Sequence, residues 1–360
     1  MDLEQAIVAY IGQQGPVTGL ELRASFGDDS LVLWQTCLRS GALITERVGT
    51  RYLRLDRRVD GYARLSPSIL RAFLSYSVTG LAADPDAVAT RAREMASHFE
   101  TVSRNKRELA LSIVRQIRQQ LGSLWGDTLP ICFIIAGDIV YGMAHDVPRP
   151  EQSTGELVRG SDIDLVVVVA DDVPDEFIAE LDRAIYGQKY MTLTSPQLRE
   201  EIDYVIKRMS RVREQLRFDT FKHMVACKIL EEGRLLYGSE GLYTEIKGLL
   251  DEHGVPEKLD DLRKRAREFG ANAETYLLHA DPAQAGKESL HLFYPSEETE
   301  EFEYDADGRL ARVINAKGHA TIYKYNCAGW LLEKRVPVEE KAGMVLYKVT
   351  QYEHDLMGRK

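Results

Sequence analysis

Two aspartates at alternate positions of one apolar run are the residues in this sequence best suited to chemistry. Asp162 and Asp164 stand in GSDIDLVVVVA (160–170), whose β-branched residues predict a buried strand. On a strand, positions i and i+2 point to the same side, so the two carboxylates project together. They repel each other unless a proton or a cation lies between them. An oxygen-only ligand set of this kind predicts Mg²⁺ or Mn²⁺.

The patterns around these acids predict the elements that position them. LPICFIIAG (129–137) is a second continuous apolar run, and DIVYGMAH after it predicts a short helix. PDEFIAELDRAIYG (174–187) predicts a longer helix, and EEIDYVIKR (200–208) predicts a third strand. Strands that alternate with helices indicate an α/β unit.

The stretch 129–240 resembles the nucleotidyltransferase superfamily related to DNA polymerase β. That family's pattern is a Gly-Ser turn that opens a helix, an apolar-Asp-apolar-Asp strand, and a third acid on a later strand. In this sequence the three parts are matched in order by AGD (136–138), GSDID (160–164) and Asp203.

The resemblance implies transfer of a nucleoside monophosphate from an NTP, such as ATP, to an acceptor, with release of pyrophosphate. The sequence leaves open whether the acceptor is RNA, a protein or a small molecule. Asp162, Asp164 and Asp203 would be the catalytic residues and the ligands of one or two metal ions, and Asp203 would also be placed to take the proton of the attacking hydroxyl. The residues implied in nucleotide binding are Gly137, Asp138, Gly142, Ser161, Lys222 and Lys228, with the two glycines acting through backbone N–H groups.

Asp138 departs from the family pattern, which has serine after the turn glycine. A carboxylate beside a triphosphate would repel it. Three interpretations stay open: Asp138 caps the following helix, contacts the metal, or marks a site that no longer transfers. His145 and His223 are interpreted as structural or exposed rather than catalytic, and Tyr141 as a core residue.

The N-terminal sequence predicts three helices followed by two strands. Residues 2–14 are amphipathic, Thr18 and Glu21 form a capping-box pair, and a third helix contains Leu31 to Leu38. ALITERV and RYLRLD then predict two strands joined by Gly49-Thr50. This order resembles a winged helix-turn-helix.

DNA is therefore one candidate partner of the N-terminal region, and docking or dimerisation is the alternative role. Residues 1–66 contain eight Arg and eight Asp or Glu, so their local net charge is zero. The arginines offered for phosphate contact are Arg47, Arg51, Arg54, Arg57 and Arg58, with Arg39 on the third helix facing the bases.

The last part of the chain has a pattern of its own. The pattern Tyr-x-Tyr/His-Asp/Asn-x-x-Gly recurs at 302–308 (as FEYDADG), 323–329 and 352–358. It resembles the tyrosine-aspartate (Rhs-type) repeat family, whose units are β-hairpins. Such repeats close into a shell only in large numbers, so the three copies are interpreted as a remnant or a docking segment without chemistry.

We therefore predict an α+β multidomain chain, with residues 68–122 helical apart from a break near Gly80 to Pro85. The predicted parts are a winged-helix-like domain (1–66), a helical linker (67–127), a nucleotidyltransferase domain with an α/β core (128–240), a helical extension (241–282) and a short β-hairpin repeat segment (283–360).

Composition limits the remaining classes. With 44% hydrophobic and 28% charged residues the chain is an ordinary globular sequence, and a net charge of −10 argues against coating nucleic acid by charge alone. The four cysteines are scattered, which argues against a zinc site or a disulfide framework. No apolar run approaches a membrane span, so we expect a cytoplasmic protein with no membrane partner.

Three functions compete at this point. The first is an active nucleotidyltransferase, with a toxin-like or phage-defence setting suggested by family analogy alone. The second is a DNA-binding regulator whose transferase domain senses nucleotides without turnover. The third is an interaction module of the repeat type.

Overall fold

The computed structural model has a mixed α+β architecture, which confirms the predicted class at that level. It describes residues 2–27, 29–57, 59, 61–125, 129–151, 157–282, 292, 301–304, 310–314, 320–325, 331–341 and 344–351. The chain divides into two compact units. The first comprises Met1–Arg149 and Val158–Phe293, and the second comprises Pro150–Leu157 and Tyr294–Lys360.

The first unit begins with the three predicted helices, and these predictions are confirmed. Helix α1 spans Leu3–Gln14, a two-residue strand β1 spans Val17–Thr18, helix α2 spans Gly19–Phe26, and helix α3 spans Ser30–Arg39. The capping box at the start of α2 is formed, since Glu21 N–H donates to Thr18 Oγ1 and Thr18 N–H donates to the Glu21 carboxylate.

The predicted pairing of the two following strands in a wing is wrong. Strands β2 (Leu43–Arg47) and β3 (Tyr52–Leu55) both form, but they do not pair with each other. Strand β3 pairs with β4 (Ala63–Ser66), and β2 pairs with a later strand, β5 (Ser77–Leu81). The reason is that β5 provides β2 with five antiparallel partners, from Leu43↔Leu81 to Arg47↔Ser77.

The segment predicted as helical therefore contains a strand. Helix α4 spans Ile69–Ser75 and helix α5 spans Pro85–Leu121, with β5 between them. Strand β5 lies between β1 and β2 in a three-stranded sheet, so that sheet extends past residue 66. Gly80 allows α5 to approach β5 closely, because a Cβ at Gly80 would overlap the Val88 side chain.

The predicted central strands are confirmed, and they form a four-stranded mixed sheet. Its strands are β6 (Ile131–Ile135), β9 (Ile163–Val169), β10 (Ile202–Arg208) and β11 (Arg234–Gly238), in the order β10-β9-β6-β11. Strands β9 and β10 are parallel, and the other two pairs are antiparallel. Two short strands, β7 (Pro148–Pro150) and β8 (Leu157–Arg159), pair separately. The remaining helices are α6 (Asp175–Thr194), α7 (Met209–Gln215), α8 (Phe221–Glu232), α9 (Glu240–Glu252) and α10 (Val255–His279).

The central sheet is buried on both faces, and its side chains alternate between two cores. Leu165 and Val167 of β9 belong to the core shared with α5 and α6. Val166 and Val168 belong to the core shared with β3 and helices α7 to α10. Because strand side chains alternate with period two, Asp164 projects on the second of these faces.

The N-terminal region packs on α10 through the face that a DNA-reading helix would need. Gln35 Nε2 donates to the Leu277 carbonyl at 2.6 Å, and Arg39 donates to the Leu278 carbonyl. Arg47 and Arg51 both form ion pairs with Glu274. Arg57 lies over the Phe221 ring, Arg54 also has an interaction within the protein, and Arg58 lies outside the described residues.

The second unit contains a five-stranded antiparallel meander. Its strands are β12 (Glu301–Tyr304), β13 (Leu310–Ile314), β14 (Ala320–Tyr325), β15 (Leu331–Lys341) and β16 (Met344–Gln351), each paired with the next. The first two repeat motifs begin in β12 and β14, and their Asp/Asn-x-x-Gly parts lie outside the described residues, as does all of 352–358.

In the described part of the chain, no helix combines the length and apolar character needed to cross a membrane. Cys37, Cys132 and Cys227 are buried free thiols, and Cys327 lies outside the described residues.

Candidate metal and phosphate site

Three carboxylates converge at the amino-terminal ends of the two parallel strands. One oxygen from each of Asp162, Asp164 and Asp203 lies within 4.8 Å of the others, close enough for one metal ion to be held between them. Asp203 of β10 is the register partner of Asp164 of β9, and Asp162 directly precedes β9. The sheet register therefore explains why an acid 39 residues from Asp164 joins the pair.

The carboxylates destabilise each other's charged forms. Burial raises the pKa of Asp164 to about 8, and the charges of Asp162, Asp138 and Asp203 add to the shift. Burial also raises the pKa of Asp162, although Arg149 opposes that change. In the absence of a divalent ion, Asp164 therefore holds a proton at neutral pH.

Protein cations reach the edges of the three-carboxylate cluster. Lys189 Nζ lies 2.9 Å from Asp203 Oδ1. Arg149 Nη2 lies 2.8 Å from Glu201 Oε2 but 3.8 Å from Asp162 Oδ1. Asp203 is half exposed, so its ion pair with Lys189 is partly screened by water. These contacts leave the raised pKa of Asp164 in place.

Gly137 lies directly against the cluster. Its φ of +70° favours glycine, and a Cβ at this position would overlap Oδ2 of Asp164. The N–H of the preceding Ala136 donates to the Asp164 carbonyl at 3.0 Å. This turn therefore brings backbone close to the carboxylates, and a side chain at Gly137 would displace the Asp164 carboxylate.

The predicted short helix after Gly137 is a five-residue 3₁₀ turn, Gly137–Tyr141. Gly142 ends it with φ +68°, and its N–H donates to the Ile139 carbonyl at 3.3 Å. The Gly142 N–H group is thus used inside the turn and does not point at a ligand. The single turn also provides less of the aligned dipole that a full helix would offer to phosphates.

Asp138 is held by residues of the N-terminal region. Its carboxylate accepts from Arg71 Nη2 at 3.2 Å, from Ser161 Oγ at 2.8 Å and from the Tyr52 hydroxyl. Burial alone would raise the pKa of Asp138, but the Arg71 charge and the two hydroxyl hydrogen bonds lower it. Asp138 is therefore an ionised carboxylate with its own counter-ion.

This arrangement bears on the three interpretations of Asp138. The N-cap position of the turn is Ala136, so Asp138 lies inside the turn and is not its capping residue. It is not one of the carboxylates that converge at the metal cluster. Ser161, predicted to contact the nucleotide, instead donates its hydroxyl to Asp138 and accepts from the His145 N–H.

The two histidines have structural partners. Arg71 Nη2 lies 2.9 Å from His145 Nε2, and burial together with the Arg71 charge lowers the pKa of His145 to about 4. His145 is therefore neutral at physiological pH. His223, a buried residue near the start of α8, has Nδ1 2.6 Å from Oδ1 of the half-exposed Asp219.

The two predicted phosphate cations differ in position. Lys228 lies over a stacked pair of rings, 5.4 Å from the Tyr52 centroid and 5.9 Å from the Tyr141 centroid, and its charge lowers the pKa of Asp164. Lys228 also pairs with Glu232 at 2.6 Å. Lys222 is exposed and six residues earlier on α8, which is about 240° around the helix. The structure brings only Lys228 towards the cluster.

Sequence reasoning missed Tyr52, Arg71, Arg149 and Lys189, the residues that surround the acids. Lys189 could have been suspected from helical spacing, since α6 precedes β10 and must pack beside it. Tyr52 and Arg71 are 86 and 67 residues from Asp138, and no local pattern signals their approach.

Neither a protein-family profile nor a curated protein sequence matches this chain.

Proposed function

We propose that this chain is a metal-dependent nucleotidyltransferase that moves a nucleoside monophosphate from an NTP to an acceptor and releases pyrophosphate. The observation that supports it most is the convergence of three carboxylates beside a glycine turn whose backbone lies against Asp164.

The chemistry of the donor set fits Mg²⁺ or Mn²⁺. All three groups offer oxygen. Burial first, and then the neighbouring negative charges, raise the pKa of Asp164, and a divalent ion would neutralise those charges. When bound, such an ion supplies positive charge to the carboxylates and to phosphate oxygens.

The chain's own residues would divide the remaining work. Asp162 and Asp164 are the inner ligands, and Asp203 is the more exposed acid, placed to take a proton from an incoming hydroxyl. In the proposed step the acceptor oxygen bonds to the α-phosphorus, the bond from that phosphorus to the bridging oxygen breaks, and pyrophosphate leaves. Lys228, whose charge lowers the pKa of Asp164, and Arg149, 3.8 Å from Asp162, are the cations proposed to contact the phosphates.

The negative charge of Asp138 repels a triphosphate less than an unpaired carboxylate would. Arg71 lies 3.2 Å from it and compensates its negative charge, so the turn carries no uncompensated anion. The finer architecture belongs to the same proposal: a nucleotidyltransferase fold over 128–240, a winged-helix-like domain before it and a repeat-type segment at 283–360.

The test is a transfer assay with each α-labelled NTP, Mg²⁺ or Mn²⁺, and a panel of RNA, protein and small-molecule acceptors. We expect label transfer and pyrophosphate release by the wild-type chain, and a loss of about 10³-fold in Asp162→Asn and Asp164→Asn. Asp182→Asn, an acid on the exposed face of α6, is the matched control and should retain activity.

Transfer that persists unchanged in both asparagine variants would contradict the proposal. Circular dichroism and thermal unfolding of the same samples separate lost chemistry from lost folding.

A nucleotide-sensing regulator without turnover is the second candidate, and the fixed carboxylate of Asp138 at the phosphate turn favours it. It predicts NTP binding with no pyrophosphate release for any acceptor. DNA binding that weakens with salt and with replacement of Arg54 would add the regulatory role. Arg47 and Arg51 are less suited to that role, because both are paired with Glu274.

A further inference from the structure

A cavity of about 420 Å³ lies beside the 3₁₀ turn, outside the metal cluster. Three parts of the first unit form it. The N-terminal strands β3 and β4 contribute one wall, Val140 and Tyr141 of the turn contribute another, and the end of α8 with β11 and α10 closes the third. Its volume is in the range of small-molecule sites.

Four arginines line this cavity, although the chain as a whole has a net charge of −10. Arg51 is paired with Glu274, and Arg263 with Glu231 at 2.8 Å. Arg234 and Arg267 are exposed, and neither forms an ion pair with a residue of the described chain. Against the four arginines the lining has two carboxylates, Glu231 and Glu232. The cavity therefore favours an anionic ligand.

The lining also contains groups that recognise more than charge. The Tyr52 and Tyr141 rings are stacked at 4.1 Å between centroids, which gives a rigid aromatic wall. The Glu232 side chain is only 10% exposed. Its Oε2 pairs with Lys228 Nζ at 2.6 Å, whereas its buried Oε1 accepts no hydrogen bond from the described residues and lies 3.6 Å from Arg263 Nη2. A buried carboxylate oxygen in this state is a ready acceptor for a ligand N–H or O–H group.

We propose that this cavity binds the acceptor, and that the acceptor is a nucleotide bearing a phosphate monoester, either free or at the end of a nucleic acid. Arg234 and Arg267 hold the phosphate in a planar, bidentate manner. Glu232 accepts from a sugar hydroxyl or a base amino group, and the tyrosine wall packs against the apolar faces of the ligand. The acceptor role rests on the proposed transferase function, whereas binding of the phosphate does not.

The position of the cavity is suited to that role. Tyr141 ends the turn that begins at Gly137, and Gly137 lies against Asp164. Four steps of a 3₁₀ turn span about 8 Å. A nucleotide with its phosphate among the arginines can therefore extend a free hydroxyl towards the carboxylates. Lys228 contacts both places, since it lies over the two tyrosine rings, pairs with Glu232 of the cavity and acts electrostatically on Asp164.

The experiment is calorimetric titration of the full chain, without NTP or metal, with adenosine 5′-monophosphate and with adenosine. A short RNA with and without a terminal phosphate forms the second pair of probes. We expect binding of the phosphorylated member of at least one pair, and weakening of about tenfold or more in Arg234→Gln and in Arg267→Gln. Arg265→Gln is the matched control, since Arg265 is exposed on α10 and about 200° around the helix from Arg267.

The outcomes separate this inference from the transferase proposal. Equal affinity of wild type, Arg234→Gln and Arg267→Gln for the phosphorylated probes, or no binding of either one at millimolar concentration, would overturn the cavity as a site. Loss of that binding in Asp162→Asn would place the ligand at the metal cluster and also overturn it. Binding that depends on the arginines, with no transfer to the bound probe when NTP and Mg²⁺ are added, would retain the site and remove its acceptor role.

Discussion

Asp138 and the three-carboxylate cluster are neighbouring acidic groups that the protein treats in opposite ways. Asp138 has a guanidinium and two hydroxyls directed at it, and its pKa is lowered. Asp164, one strand away, has three acids as neighbours, and its pKa is raised to about 8. Both are buried, so burial does not explain the difference.

The difference lies in where the compensating charge comes from. Asp138 receives it from Arg71, which is part of the folded chain and stays in place. Among the described residues, Lys189 and Arg149 approach the cluster at Asp203 and Asp162, and the pKa of Asp164 stays raised. Under the proposed function, an exchangeable divalent ion supplies the missing charge. A fixed counter-ion is typical of a structural junction, whereas an uncompensated acid cluster is typical of a functional site.

The largest effect is expected from removing the carboxylate of Asp138, which tests whether its ion pair with Arg71 stabilises the fold. Asp138→Ala leaves Arg71 with its main partner missing, so we expect a loss of about 3 kcal/mol in the free energy of unfolding. Because the pKa of Asp138 is lowered, its contribution is present above the ordinary aspartate pKa and is lost as the pH falls through the folded value. Denaturant unfolding at neutral and at acidic pH measures both effects.

The double variant Asp138→Ala with Arg71→Met is the control for that prediction. It removes both charges, and we expect it to be more stable than Asp138→Ala alone. The prediction fails if the losses in the free energy of unfolding of Asp138→Ala and Arg71→Met alone add up to the loss in the double variant, because the two residues would then not be coupled.

The pH dependence of metal binding tests the raised pKa of Asp164 in the three-carboxylate cluster. Since Asp164 holds a proton below about pH 8, Mn²⁺ must displace that proton. We expect the affinity to rise by about tenfold per pH unit from pH 6.5 to 8 and then to level off. The stability of the metal-free protein should fall over the same range, because a raised carboxyl pKa stabilises the fold only while the group is protonated. Titration calorimetry and thermal unfolding are the measurements.

Asp164→Asn serves as the reference in that series. It has no group to titrate at this position, so the slope of stability against pH should be reduced. A flat Mn²⁺ affinity in the wild-type protein would contradict the raised pKa.

The smallest effect is expected at the edge of the cluster. Lys189→Gln removes the ion pair with the half-exposed Asp203, so stability should change by less than about 1 kcal/mol. Mn²⁺ affinity should increase a few-fold, because a competing cation is gone. A large fall in affinity would instead make Lys189 part of the binding site; Lys264→Gln, on an exposed face of α10, is the matched control.

The sequence was sufficient for elements with a strong local pattern and for the acid pair on β9. The apolar runs of β6 and β9 and the capping box of α2 were predicted because their signals lie within a few residues. Strand β5 was missed because its five residues, between two helices, are too few to show a clear alternation of apolar and polar side chains. The partner of β2 was therefore predicted wrongly, since that partner is β5.

The surroundings of the acids could not be predicted in the same way. Asp203 was found through the family pattern, but the position of Arg71 beside Asp138 depends on how the N-terminal region packs against the central sheet. That packing joins residues far apart in sequence, and a single sequence has no periodic signal for it. The acids can be recognised from a local sequence pattern, whereas the residues that balance their charges are brought close only by tertiary packing.

The contact of Tyr52 and Arg71 with Asp138 has a consequence for how this chain can change over evolution. A lineage with serine at position 138 would leave a guanidinium and a phenol facing a neutral partner. We therefore expect the three positions to vary together among descendants of this sequence, although 67 and 86 residues separate Arg71 and Tyr52 from Asp138.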